Sequence, residues 1–420
     1  MNSGPDKPDE KLSRLLFVDD ETFVLQGLSR SLRSMREQWK MTFVESGEQA
    51  LQALAREPYD AVITDMKMPG MDGAQLLDEV KQRYPEIVRM VLSGQASGGA
   101  MLRAIGPTHQ YLSKPCDPQE LQLRLTQAFA MRDLLRNTAV RAVVSGLKSI
   151  PSLPDLYHEV MAELGCEDAS LERVARIISK DVGMTAKILQ LANSAFMGVR
   201  HVVSNPTQAV ALIGTEMVRA LVLSVHVFSQ FEGQREVEAY WTTLWEHSIA
   251  VASLAKRIAV GEKCAKGLVE ESFTAGLLHE IGKLVLLAQM QKEYDAILKA
   301  MAEKSIPVAA AERETLGCTH ADLGAYLMSI WGLPQPLIHA VAYHDRPSAS
   351  IEKRFSALTA VHGADAIVSS THGPLILLQD VQLDEKYLHE LGLGDREPLW
   401  RGLYDQQMEQ ARLTAPEGRR

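Results

Sequence analysis

Asp19, Asp20, Asp65, Ser93, Tyr111 and Lys114 share one feature of placement: each stands on, or directly after, a short apolar run. If those runs are neighbouring strands, three carboxylates meet in one acidic cleft, and a hard divalent cation relieves their repulsion. Mg²⁺ suits such a cleft, since it takes an octahedron of oxygens and keeps several waters. Asp19, Asp20, Asp65 and the Lys67 carbonyl supply oxygens for it. With the metal and the Lys114 ammonium neutralising phosphoryl oxygens, the Asp65 carboxylate can attack a phosphoryl donor in line. The Ser93 hydroxyl can then hydrogen-bond the new oxygens and draw its loop inward, leaving room for the Tyr111 ring. A phosphoryl group adds roughly −1.5 to −2 charge, enough to bias a two-state element separated by a few kcal/mol.

The elements that must position these residues are legible from Leu15 to about Phe129. Apolar runs at Leu15–Val18, Met41–Val44, Ala61–Thr64, Val88–Leu92 and Tyr111–Leu112 alternate with amphipathic stretches at Phe23–Met35, Glu48–Arg56, Ala74–Tyr84, Gly99–Ile105 and Gln119–Phe129. Five strand–helix repeats predict an α/β fold, a doubly wound five-stranded parallel sheet with helices on both faces. Such sheets bind ligands at the carboxyl ends of their strands. Taken singly, Asp19-Asp20 reads as a helix cap and Lys114-Pro115 as an ordinary turn. Their joint occurrence at successive strand ends points instead to one pocket.

The segments Leu16-Phe17-Val18-Asp19-Asp20-Glu21, Thr64-Asp65-Met66-Lys67-Met68-Pro69-Gly70-Met71-Asp72-Gly73, Leu92-Ser93-Gly94-Gln95 and Tyr111-Leu112-Ser113-Lys114-Pro115 closely resemble the receiver domains of two-component response regulators. The resemblance covers about the first third of the chain and implies a flavodoxin-like fold. It implies that Asp65 is the phosphoryl acceptor, Asp20 a metal ligand, Ser93 and Tyr111 the switch pair, and Lys114 the phosphate-binding lysine.

After Arg132 the strand signal ends and amphipathic helices take over, with starts at Pro154-Asp155 and at Ser170 before Leu171. An all-α second region is predicted. Gln119 to Val144 holds no Gly or Pro, so the last helix of the first region is expected to run on as a stiff connector. The segments Ile150-Pro151-Ser152-Leu153-Pro154, Ile177 to Leu189, Leu191 to Phe196 and Ala209 to Gly214 look like the HDOD family, named as an HD-related output domain. That resemblance spans roughly Val143 to Pro347 and implies a regulatory, protein-contacting module descended from metal phosphohydrolases. His247, His279-Glu280, His320, His344 and Asp365 fall in the order in which HD hydrolases present metal ligands, a donor set suited to iron, manganese or zinc. Read alone, His247 and His320 are core or capping histidines. Glu280 stands where the defining pair has aspartate, and the Gly-Tyr-Pro of cyclic di-GMP phosphodiesterases is absent after His344-Asp345-Arg346-Pro347. Lys283 reads equally as a phosphate contact or as a solvated helix-end lysine. Tyr240, Trp241 and Trp245 read as core packing, with a docking surface as the alternative.

With 420 residues, an apolar fraction of 46% and a net charge of −9, folded domains are expected and a DNA-binding output is disfavoured. Cys116, Cys166, Cys264 and Cys318 form no CxxC pair, which together with the lack of a secretory or membrane-spanning run predicts a cytoplasmic chain with reduced thiols. The expected organisation is a tail at 1–12, a receiver at 13–131, a helical linker at 132–146, an HDOD domain at 147–347, a helical extension packing on it at 348–413, and a tail at 414–420. The implied partners are a sensor histidine kinase or other phosphodonor and a protein target, an enzyme of cyclic di-GMP signalling. A homodimer is left open, and no DNA or membrane partner is expected. The rival reading is a phosphorylation-gated, metal-dependent phosphohydrolase using His247, His279, Glu280 and Asp365.

Overall fold

The computed structural model describes residues 12–93, 108–114, 117–134, 137–147, 154–166, 170–193, 203–214, 218, 235–371 and 381–414. The expected helix Gly99–Ile105 and most of both expected tails lie outside these residues. The chain divides near Thr126 into two compact units.

The first unit is a parallel sheet of β1 (Ser13–Val18), β2 (Trp39–Val44), β3 (Ala61–Asp65), β4 (Val88–Ser93) and β5 (Gln110–Ser113) in the order β2-β1-β3-β4-β5. Leu15, Leu16, Phe17, Val62 and Ile63 are fully buried, as strands covered on both faces require. Register does the positioning. Val18 pairs with Thr64, so Asp19 and Asp65 leave adjacent strands side by side. Asp65 pairs with Leu92, and Ser93 with Ser113, which sets Lys114 one residue beyond the last pair. The helices Gly47–Arg56 and Gly73–Arg83 begin at caps that the sequence supplies, Ser46 accepting from Gln49 and Asp72 forming a reciprocal box with Gln75.

Every described secondary-structure element of the second unit is a helix. The long helix Arg235–Gly261 packs against Lys266–Leu278 and Ala357–Thr371, and His320–Ile330 packs against Ile281–Gln289 and Gln335–Tyr343. Two close approaches depend on glycine. A Cβ on Gly276 would lie 2.7 Å from Ala252 Cα, and one on Gly282 would lie 1.9 Å from the His320 carbonyl oxygen. Those crossings bring the helix ends bearing His279 and Glu280 onto the helices bearing His247 and His320. The C-terminal helix Glu397–Thr414 lays Trp400, fully buried, against Gly363 and donates its indole N–H to Glu262 at 2.9 Å.

Two expectations are corrected. The helix Pro118–Leu134 does not continue to Val144: Asn137 is non-helical and caps Thr138–Gly146, its Oδ1 accepting from Val140 N at 3.4 Å. An Asn side chain that satisfies a free backbone N–H competes with helix continuation, which the absence of Gly and Pro does not reveal. Among the expected core aromatics, Tyr240 is exposed, whereas Trp245 is half-buried and donates its indole N–H to the Lys180 carbonyl at 2.5 Å. The Trp241 side chain lies outside the described residues. Among the described residues no helix is long and apolar enough to cross a membrane.

Candidate functional site

At the carboxyl ends of β1, β3 and β5 the Lys114 ammonium donates to Asp19 Oδ2 at 2.6 Å and meets Asp65 Oδ1 at 2.5 Å. The two carboxylates are pinned on their other sides by backbone, Glu21 N–H donating to Asp19 Oδ1 at 3.0 Å and Lys67 N–H to Asp65 Oδ2 at 2.7 Å. The lysine pKa is raised: burial alone would lower it, and the hydrogen bonds and charges of Asp19 and Asp65 outweigh that. Asp20 is exposed beside this pair. Carboxylate and carbonyl oxygens at one cleft fit a hard cation such as Mg²⁺. Ser93 ends β4 and Tyr111 is the second residue of β5, but their side chains, and with them the expected switch, lie outside the described residues.

In the helical unit, every one of the six expected ligands meets in one buried cluster. His247, His279, Glu280, His320, His344 and Asp365 are each 2% exposed or less. His247 Nε2 lies 3.3 Å from His279 Nε2 and 3.1 Å from Asp365 Oδ1, which is 3.8 Å from His279 Nε2. On the other side His320 Nε2 lies 3.4 Å from His344 Nε2 and 3.3 Å from Glu280 Oε2. Asp345, which directly follows His344, completes that side, its Oδ2 3.3 Å from His320 Nε2 and its Oδ1 3.3 Å from His344 Nε2.

The ring orientations follow from the helix ends. His279 and His344 cap the C-termini of Lys266–Leu278 and Gln335–Tyr343. Each gives its Nδ1 to the carbonyl three residues back, Gly276 at 2.7 Å and Val341 at 2.8 Å. A carbonyl only accepts, so Nδ1 carries the proton and the Nε2 lone pair faces inward. His320 turns its Nδ1 to the Glu312 carboxylate at 2.8 Å, the carboxylate–histidine support that orients metal ligands elsewhere. A fifth ring, His362, donates from Nδ1 to the His344 carbonyl at 2.8 Å and accepts from Asp384 N–H at 2.9 Å.

Electrostatics within the cluster are polarised. Burial holds His279 down to about 4, more than Asp365 and Glu280 restore. His320 is pushed up to about 9, burial being outweighed by Glu312, Glu280 and Asp345. Burial would raise both Glu280 and Asp365, but Lys283 and His320 hold the first, and the His247 hydrogen bond and His279 the second, far below the usual carboxylate range. Of the two readings of Lys283, the solvated one is overturned: it is 4% exposed and bonded to Glu280 Oε1, because the helix Ile281–Gln289 is buried from Ile281 to Leu287.

This donor set fits a borderline divalent metal. Asp365 Oδ2 and Glu280 Oε2 are buried and accept no hydrogen bond, and inward lone pairs at 3.3 to 3.4 Å from a neighbouring ring nitrogen call for a cation between them. Metal–ligand bonds of about 2.0–2.2 Å place ligands roughly 3.0–3.5 Å apart, close to these spacings. Sequence reading missed Glu312, Asp345 and His362. Asp345 had a signal, the same His-acid adjacency as His279-Glu280. Glu312 had none, since the turn after Leu316 folds it back onto His320.

Residues 15–126 match the family model of the response regulator receiver domain, and residues 150–347 that of the HDOD domain. An uncharacterized protein of Treponema pallidum (strain Nichols) is 26% identical over 206 residues, 48% of this chain and 39% of that protein. The hydrogenase transcriptional regulatory protein HoxA of Cupriavidus necator is 34% identical over 127 residues, 30% of this chain and 26% of that protein. The chain thus spans well under half the length of these two relatives. Among solved structures, the signal receiver domain of an HD domain-containing protein from Pseudomonas fluorescens Pf-5 is 35% identical, covering 29% of this chain and 98% of that one, with a TM-score of 0.28. The MmoQ response regulator of Methylococcus capsulatus is 25% identical, covering 60% of this chain and 98% of that one, with a TM-score of 0.46.

Proposed function

The chain is a response regulator in which a receiver domain is followed by an HDOD output domain, and on that footing we propose that Asp65 accepts a phosphoryl group and that the HDOD domain reports it through contact with a protein. The observation that carries the reading is the Lys114 ammonium drawn onto both Asp19 and Asp65. Asp65 attacks the phosphorus of the donor, the donor's P–O or P–N bond breaks, and the leaving group departs with the electron pair. Asp65 then no longer offers a carboxylate anion, so Lys114 turns to the phosphoryl oxygens. Mg²⁺ would be held by Asp19, Asp20, Asp65 and the Lys67 carbonyl and would supply charge neutralisation at the donor. Ser93 and Tyr111 are proposed to carry the change outward from the ends of β4 and β5.

The phosphodonor is a sensor histidine kinase or a small phosphorylated molecule, as the receiver family implies. The proposed target is an enzyme of cyclic di-GMP signalling, a reading supported by the likeness of residues 150–347 to HDOD domains and by the net charge of −9, which disfavours DNA. Affinity capture with wild type and Asp65→Ala, each with and without acetyl phosphate and Mg²⁺, tests both parts. A partner set that changes only for phosphorylated wild type supports the switch, and one identical under all four conditions refutes it.

A second reading is favoured by the buried cluster: a metal centre in the HDOD domain on His247, His279, Glu280, His320, His344 and Asp365, with phosphohydrolase activity as its furthest extension. Metal analysis of the purified full chain tests it. Stoichiometric transition metal, lost in His279→Ala, supports a metal centre, and turnover of a cyclic dinucleotide lost in the same variant would extend it to an enzyme.

A further inference from the structure

The His320–His344 side of the cluster carries more negative charge than the chain neutralises. The carboxylates of Glu280, Asp345 and Glu312 all act on the one ammonium of Lys283. That ammonium is bonded to Glu280 Oε1, the oxygen nearer His279, which leaves Glu280 Oε2 buried beside His320 with no hydrogen bond. Three anions around one cation leave two negative charges over in a place nearly closed to water, where unpaired charge is costly. One divalent ion matches that excess.

The geometry around His320 Nε2 shows where the ion belongs. Glu280 Oε2 and Asp345 Oδ2 each lie 3.3 Å from that nitrogen and His344 Nε2 lies 3.4 Å from it, while Asp345 Oδ1 is 3.3 Å from His344 Nε2. A tetrahedral ion with bonds of about 2.0–2.1 Å holds its ligands about 3.3–3.4 Å apart. Both rings have Nδ1 engaged, His320 with Glu312 and His344 with the Val341 carbonyl, so each offers Nε2. Asp345 is aimed by its neighbour: Arg346 donates to Asp322 Oδ1 at 2.7 Å, tying the turn after Gln335–Tyr343 to the helix that bears His320.

We propose that Glu280, His320, His344 and Asp345 hold one divalent ion of their own, with Asp345 as the ligand that completes its coordination. The inference rests on the metal-centre reading and adds Asp345 to its ligands. Two imidazoles and two carboxylates suit Zn²⁺. Four protein side chains leave no open position for a substrate, which is the condition of a structural zinc site and not of a catalytic one. The ion joins the ends of three helices, Ile281–Gln289, His320–Ile330 and Gln335–Tyr343. The Asp345 side chain, 21% exposed where the other three are 3% or less, is its way in.

The test is the zinc content of the full chain after chelation, reloading with Zn²⁺ and desalting, with Mg²⁺ in excess to hold the receiver site. Asp345→Ala is expected to carry one zinc fewer per chain than wild type, and Asp345→Cys to regain it. Loaded with Co²⁺, Asp345→Cys is expected to show a near-ultraviolet thiolate-to-cobalt charge-transfer band that wild type lacks, a signature that only direct ligation at this position produces. If Asp345→Ala does not fold, the band in Asp345→Cys decides alone. Zinc content unchanged in Asp345→Ala, or no new band in folded, cobalt-loaded Asp345→Cys, overturns the inference, and a loss of zinc in His279→Ala then leaves the metal-centre reading standing. No zinc in any form overturns both.

Discussion

Replacing Lys114 by methionine removes the cation between Asp19 and Asp65 while keeping most of the volume of the side chain. The Asp19 and Asp65 side chains are 1% and 11% exposed and that of Lys114 is 21% exposed. Removing one member of a buried pair costs about 3–5 kcal/mol, and partial exposure of the lysine moves the expectation to roughly 2–3 kcal/mol. For a domain of this size 1 kcal/mol moves the midpoint by about 4 °C, so the receiver transition is expected to fall by roughly 8–12 °C in the presence of chelator. Mg²⁺ should restore more of the midpoint in the variant than it adds to wild type, since a ligand that binds only the native state stabilises in proportion to its affinity, and the variant's carboxylates no longer share their charge with an ammonium. Differential scanning calorimetry of the full chain, with EDTA and then with Mg²⁺, reads both effects. Coincident melting of variant and wild type in EDTA would refute the charge argument, and an equal Mg²⁺ increment in the two would refute the shared-site argument.

Asp65→Asn should take up no phosphoryl group from acetyl phosphate and Mg²⁺ by intact-mass measurement; uptake equal to wild type would place the acceptor elsewhere. Asp365→Asn should lose the bound transition metal measured by elemental analysis, because it weakens the carboxylate shared by His247 and His279; full retention would remove Asp365 from the ligand set. Gly282→Ala should lower the stability of the helical unit by about 3 kcal/mol, the upper end for overpacking, since the added carbon meets backbone at 1.9 Å and cannot be relieved by a rotamer; an unchanged melt would mean that the two helices separate freely. In the metal-free protein His320, raised from 6.5 to about 9, contributes stability that is full below pH 6.5 and lost as pH rises through 9, an effect on the order of 3 kcal/mol at most. His279, lowered from 6.5 to about 4, contributes stability that is full above pH 6.5 and lost as pH falls through 4. Chelator-treated protein should therefore melt highest near pH 6.5, and a midpoint flat from pH 6.5 to 9 would contradict the raised His320.

The receiver site was legible because its chemistry is tied to a period. A parallel sheet puts every strand's carboxyl end on one edge, so residues that follow apolar runs are neighbours whatever the sequence distance between them, and Asp19, Asp65 and Lys114 meet as that rule requires. Helical packing offers no such rule. The six cluster ligands were assigned by their order in a resemblance, and what the residues alone could not reveal is why the rings face one another. That depends on two histidines at helix C-caps and on two glycines that let helices approach within backbone contact. Lys283 stayed open between two readings for a related reason: near the start of a helix a lysine is usually solvated, and only the burial of Ile281 to Leu287 makes it an internal counter-ion. Asn137 was missed because a cap needs no change in composition.

Both halves of the chain set a lysine against carboxylates, and the difference in burial separates what the two arrangements can do. Lys114 keeps 21% of its side chain exposed at the open edge of a sheet, so it can leave Asp65 for an incoming phosphoryl oxygen at little cost in desolvation. Lys283, at 5%, is bonded to Glu280 with almost no access to solvent, so that bond behaves as part of the fold. The first arrangement suits a site whose charge changes during a signal. The second suits a site whose charge is fixed when the chain folds.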